Sequence, residues 1–159
     1  MKITVIAVGK IREKYFTGAV DEYAKRLSRF CRLELVEVAD EKTPDGASEA
    51  QKLQILEKEG GRILQKLSGS SYTVALAIDG RMLDSEELSQ QIERWNVNGV
   101  SHITFLIGGS LGLSPQVLEK ADMKLSFSKM TFPHQLMRVI LLEQIYRSYM
   151  IRSGAPYHK

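Results

Sequence analysis

Ile3-Thr4-Val5-Ile6-Ala7-Val8, stopped by Gly9, is a run of strand length that is apolar at nearly every position. A strand with one wet face alternates apolar and polar residues, whereas a run without that alternation marks a strand covered on both faces. The run therefore predicts a central strand in a sheet with helices on either side. Working outward, residues 13–30 carry Tyr15, Phe16, Ala19, Val20, Tyr23 and Leu27 at helical spacing, and 33–38 reads as a second strand. Thr43-Pro44-Asp45-Gly46 marks a surface loop. Ser48 caps a helix running through Leu53, Leu56, Ile63 and Leu67. Gly60-Gly61 should loosen that helix in its middle unless another backbone comes close there.

The alternation continues. Residues 72–78 form a third strand, 85–95 a helix, and 103–107 a fourth strand. Ser114-Pro115 opens a short helix to about 120, and Pro133 opens a last helix over 134–152. Strands alternating with helices give an α/β fold, a mostly parallel sheet flanked by helices. No repeat, low-complexity tract or long linker divides the chain, so a single domain over 1–159 is expected.

A length of 159 residues, 43% hydrophobic and 26% charged, suits one soluble globular core. No apolar run approaches the roughly 20 residues of a membrane span, and the N-terminus lacks a cleavage site, which places the protein in the cytoplasm. Cys31 is the only cysteine, which rules out an intrachain disulfide and reads as a tolerated thiol. The net charge of +3 permits a phosphate-rich partner without requiring one. Lys10, Arg12 and Lys14 follow the first strand; Lys25, Arg26, Arg29 and Arg32 crowd the end of the first helix, where cations also complement its dipole.

Ligands of such sheets sit at the carboxyl ends of strands, which points to the loops after Ile78, Ile107 and Leu125. Ile107-Gly108-Gly109-Ser110-Leu111-Gly112 lets backbone approach a ligand, yet it is neither a P-loop nor a dinucleotide fingerprint. A plain strand-to-helix turn is its other reading. Phe127-Ser128-Lys129-Met130-Thr131-Phe132 mixes aromatic, hydroxyl and apolar groups where a connector would be mostly polar, a composition suited to a ligand with a flat base and a polar chain. An edge strand is the alternative there. The last helix is apolar over most of its circumference, which predicts burial on two sides, the second by another subunit in a symmetric homodimer. Glu143 and Arg147 form an i,i+4 pair on its polar stripe. His102 and His134 have no second ligand at metal spacing, so no metal is expected. His158 stands in the closing Pro156-Tyr157-His158-Lys159, either a frayed end or a tail that reaches a site.

The glycine turn 107–113, the segment Leu125-Ser126-Phe127-Ser128-Lys129-Met130-Thr131-Phe132-Pro133-His134, the pattern Arg138-Val-Ile-Leu-Leu-Glu-Gln-Ile-Tyr-Arg147 and the ending 156–159 together resemble one family. It is the SPOUT-class ribosomal RNA large subunit methyltransferases that modify N3 of a pseudouridine in 23S rRNA. The likeness runs from Met1 to the last residue. It implies a C-terminal trefoil knot, which pattern reasoning does not find. It also implies an S-adenosylmethionine site and an obligate homodimer. By matching motif, the cofactor-binding residues would be Leu76, Gly108, Phe127, Ser128, Lys129, Met130, Thr131 and Phe132. Arg147, for anion or phosphate contact, and His158, for proton handling or target positioning, would be catalytic. The implied substrate is 23S rRNA within the assembled 70S ribosome, read as a preformed shape. A noncatalytic ribosome- or RNA-binding module and a small-molecule methyltransferase remain open as other readings of the same residues.

Overall fold

The computed structural model describes residues 1–159. Its elements are β1 (Lys2–Val8), α1 (Lys14–Leu27), β2 (Arg32–Val38), α2 (Glu49–Lys66), β3 (Tyr72–Met82), α3 (Ser85–Val97), β4 (His102–Ile107), α4 (Pro115–Lys120), β5 (Met123–Ser126) and α5 (His134–Arg152). The strands form a five-stranded sheet in the order β2-β1-β4-β3-β5. Every paired neighbour is parallel. The fold is α/β, as expected.

The unalternated run of β1 has its reason in two cores. Ile3, Val5 and Ala7 pack with Val20 and Leu27 of α1, Leu88, Ile92 and Trp95 of α3, and Leu141, Leu142 and Ile145 of α5. Ile6 and Val8 point to the other face and pack with Val38, Ile63 of α2, Leu106 and Val117 of α4. With successive side chains on opposite faces, both sides of β1 must be apolar. Helix starts follow their caps: Ser48 with Gln51 and Asp84 with Glu87 form capping boxes, and Ser114 accepts from the Val117 N–H ahead of Pro115.

Some expectations shift. α2 is continuous through Gly60-Gly61. The neighbour that explains Gly60 is α4's side chains rather than a backbone: a Cβ at Gly60 would stand 3.2 Å from Ser114 Cβ and 3.2 Å from Val117 Cγ2. Gly61 has nothing within 4 Å of such a Cβ. β3 runs on to Met82 because its pairing with β5 is interrupted, jumping from Leu76 to Arg81 opposite the same Leu125. Gly80 sits inside that irregularity, where a Cβ would be 2.7–2.9 Å from the Lys124 and Leu125 backbone.

α5 lies over the sheet in the groove between α1 and α3. Tyr23 meets Tyr146 on one flank; on the other, Ser85 Oγ donates to Gln144 Oε1 (2.7 Å) and Ser89 Oγ to the Ser148 carbonyl (2.9 Å). Leu141, Leu142 and Ile145 of α5 are buried within the chain, while Leu136, Val139, Ile140 and Met150 stay only partly buried. No helix is long and apolar enough to cross a membrane.

Candidate active site

The carboxyl ends of β3, β4 and β5 open into a pocket, and the loops beyond them wall it. Leu76, Ala77 and Ile78 come from β3, Ile107, Gly108, Gly109 and Gly112 from the glycine turn. Leu125 to Ser128 and Met130 to Phe132 follow from β5, with His134 and Met137 from the first turn of α5. Its empty space, open mouth included, is about 590 Å³. The glycine turn is built by backbone. Gly112 has φ +83° and its N–H donates to the Gly109 carbonyl at 3.0 Å, and Gly108 lies so close that a Cβ there would meet the Gly112 backbone. Only glycine satisfies both demands. In the β5–α5 loop, Ser126 Oγ donates to the Ser128 carbonyl (3.1 Å) and the Met130 N–H donates to Ser128 Oγ (2.9 Å), so hydroxyls shape the pocket wall.

Seven of the eight positions matched to cofactor binding line this pocket: Leu76, Gly108, Phe127, Ser128, Met130, Thr131 and Phe132. Lys129 does not. It is exposed and makes no ion pair within the chain. Ile78, His134 and Met137 line the pocket without having been singled out for it, and Gly109 lines it as part of the glycine turn already named as a candidate. His134 is held below the ordinary histidine value by burial and then by the Arg138 guanidinium, so it faces the pocket neutral near pH 7.

Arg138 is the structural residue that sequence patterns least betray. It is buried, its Nη1 donates to Glu37 Oε2 at 2.6 Å, and its Nη2 donates to the Gly9 and Val8 carbonyls at 2.7 and 3.1 Å. These bonds fasten the first turn of α5, and with it the end of the 127–132 loop, to the end of β1.

Arg147 and His158 lie elsewhere. Met137 at the pocket and Arg147 are ten positions apart on α5, which at 1.5 Å per residue is about 15 Å. There the tail is docked rather than frayed. Arg147 Nε and Nη2 each donate to Glu143 Oε1 at 2.7 Å, and Tyr157 Oη donates to the same oxygen at 3.4 Å. The Arg147 guanidinium covers the Tyr157 ring at 4.8 Å, and Arg147 Nη1 lies 3.1 Å from His158 Nδ1. Since a guanidinium only donates, Nδ1 accepts and the histidine proton sits on Nε2, 3.7 Å from Glu86 Oε1. Burial and then Glu143 push the Tyr157 phenol up, keeping it a donor. The chain therefore brings its pocket residues together and its tail residues together, at separate places.

The Cys31 thiol is pushed up by burial, away from the reactive range. No cluster of three or more metal-ligating side chains is present.

A family described as "Predicted SPOUT methyltransferase" matches residues 1–158. The chain belongs to the SPOUT methyltransferase family. Methyltransferases of this class take their methyl group from S-adenosylmethionine. Among relatives, a protein of Bifidobacterium animalis subsp. lactis is 59% identical over 159 residues, covering all of both chains. One from Clostridium novyi is 59% and one from Clostridium perfringens 58% identical, again over the full length of each. All three bear the name ribosomal RNA large subunit methyltransferase H.

Proposed function

We propose that this chain methylates N3 of a pseudouridine in the 23S rRNA of the assembled 70S ribosome, with S-adenosylmethionine as donor and a homodimer as the working unit. The observation that carries the reading is the pocket. Its apolar walls, few hydroxyls and bare glycine backbone suit a flat adenine beside a polar chain, and it lies at the strand ends where this class of sheet binds ligands. The names borne by full-length relatives support the substrate. We read residues 1–159 as one cytoplasmic domain that uses no metal and whose C-terminal third threads the trefoil knot of its family.

S-adenosylmethionine, when bound, would supply an electrophilic methyl carbon that a nitrogen nucleophile attacks in line, the methyl–sulfur bond breaking and the neutral thioether S-adenosylhomocysteine leaving. Leu76, Phe127, Phe132 and Met137 would enclose the base and exclude water, while Ser128 and Thr131 offer hydroxyls to the polar chain. Gly108 leaves room for the backbone to touch it. Lys129, outside the lining, is better placed to meet a substrate phosphate. A uracil-type N3–H is a weak acid, so transfer needs a cation for the developing anion and an acceptor for the proton. Arg147 and His158 supply both in one exchange: Arg147 turns from His158 Nδ1 to the anion, and the freed lone pair of Nδ1 takes the N3 proton. Glu143 keeps Arg147 oriented throughout.

The separation of about 15 Å between pocket and Arg147 argues that each site is completed by the tail of a second copy. Ile78 and Met130, which line the pocket, are 53% and 73% exposed, an apolar rim suited to that contact.

The test is transfer of labelled methyl to 70S ribosomes lacking the modification, beside naked rRNA, with the product mapped by mass spectrometry. Label at one pseudouridine on ribosomes is the expected result. No label on ribosomes or rRNA, despite cofactor binding, would move the assignment to a small-molecule methyltransferase; no cofactor binding at all would leave a noncatalytic ribosome-binding module.

A further inference from the structure

One buried acid takes no part in the proposed transfer. Glu59 of α2 is 4% exposed. Its Oε2 accepts the Glu41 N–H at 2.9 Å, while its Oε1 is sealed from solvent with no partner. The carboxyl lies against the glycine turn from behind: a Cβ at Gly109 would stand 3.4 Å from both Glu59 oxygens, and Gly109 lines the pocket on its other side. The next residue, Gly60, receives the side chain of Ser114, which caps α4 at the far end of that turn. Thr43 Oγ1, in the loop after β2, meets Ser110 Oγ at 3.4 Å, and Arg62 Nη2 ties Glu41 at 2.9 Å. One turn of α2 thus supports both ends of the segment 109–114 and the loop after β2.

We propose that Glu59 is a positioning residue for cofactor binding: its carboxyl, bonded to Glu41 and seated behind Gly109, fixes the glycine wall of the pocket. This rests on the S-adenosylmethionine reading of that pocket. A sealed oxygen is tolerated far better neutral than charged. Burial accordingly pushes the Glu59 carboxyl up, against the pull of the Glu41 N–H bonded to it; Asp40 and, least, the Glu41 charge add to the rise, and Arg62 on α2 opposes it. Val8 of β1 and Gly109 bring no charge. A carboxyl raised in the folded state favours the native packing below the ordinary value of about 4.3, and that advantage is lost as pH rises through the raised value. Glutamine mimics the neutral form, accepting from Glu41 and offering a donor at the sealed position; leucine does neither.

The experiment titrates the full chain, Glu59→Gln and Glu59→Leu with S-adenosylmethionine by calorimetry from pH 5 to 8, with KM for cofactor and for ribosomes and thermal melts alongside. The wild-type affinity should weaken as pH rises, and Glu59→Gln should bind within about twofold of wild type at low pH and lack that pH dependence. Glu59→Leu should lose on the order of tenfold in cofactor affinity, the scale of one hydrogen bond, with KM for ribosomes unchanged. A folded Glu59→Leu that binds cofactor like wild type overturns the proposal. Should leucine prevent folding, Glu59→Ala takes its place in the same titration, and a folded Glu59→Ala that binds cofactor like wild type overturns it equally. A wild-type chain that binds no S-adenosylmethionine removes the pocket reading itself and this role with it.

Discussion

His158 carries the sharpest residue-scale consequence. Its Nδ1 is occupied by Arg147 and its Nε2 bears the proton, so the ring in this arrangement is a held side chain waiting for an exchange of partners. His158→Ala, or removal of residues 157–159, should lower methyl transfer at least ~100-fold, the usual scale of general acid–base catalysis. Cofactor affinity, measured by calorimetry, should stay within about twofold because the residues that line the pocket include none of 157–159. A matching loss of cofactor binding would show that the tail is part of the pocket instead. Arg138 is the opposite kind of residue. Buried and bonded to the Val8 and Gly9 carbonyls at the end of β1, it braces backbone and does not line the pocket.

At the scale of elements, Gly60 and Gly61 make a controlled pair on one helix. Gly61→Ala adds a methyl into open space and should stabilise by about 1 kcal/mol, the helix preference of alanine over glycine. Gly60→Ala drives a methyl against Ser114 and Val117 and should cost about 1–3 kcal/mol as overpacking. Chemical denaturation of both variants checks this, and equal effects would mean that α4 does not seat on α2 as described. The same pair shows what was legible in the sequence. Apolar runs and helical spacing located four of the five strands and the five helices to within a few residues, missing only the four-residue β5 (Met123–Ser126), and the cap at Ser48 and the proline at Pro115 marked helix starts, because those signals are local. Why Gly60 is glycine was not legible, since its reason stands more than fifty positions away at Ser114. Likewise the spacing on α5 told how much of the helix is apolar; it carried no information on whether α1 and α3 or a second subunit covers it. The pocket loops stood out by composition, yet Lys129 could not be separated from its neighbours, because adjacent loop residues share a pattern and differ only in direction.

For the whole molecule, the split between pocket and tail decides what a dimer must do. If each site pairs one chain's pocket with the other's tail, protomers with complementary defects should rescue each other. Mixed dimers of a His158→Ala chain and a Thr131→Trp chain, whose indole fills the pocket, retain one intact site and should show about half the wild-type rate per dimer under the composite-site arrangement. Each homodimer should be inactive. Tandem-affinity purification of the mixed species followed by the ribosome assay measures this, and an inactive mixed dimer would place both halves of the site in one chain.

The strand order has a consequence in the time domain. β1 pairs with β4, Lys2 opposite His102, and β4 also separates β1 from β3. At about 5–20 residues per second of synthesis, roughly 5–20 s pass between the emergence of the first strand and the arrival of the one that closes its open edge. Through that interval the nascent chain exposes an apolar strand with unpaired backbone groups, the kind of edge that recruits other chains. Ribosome-bound chaperones, and the pace of translation before residue 102, then bear on the yield of native protein through that exposed edge.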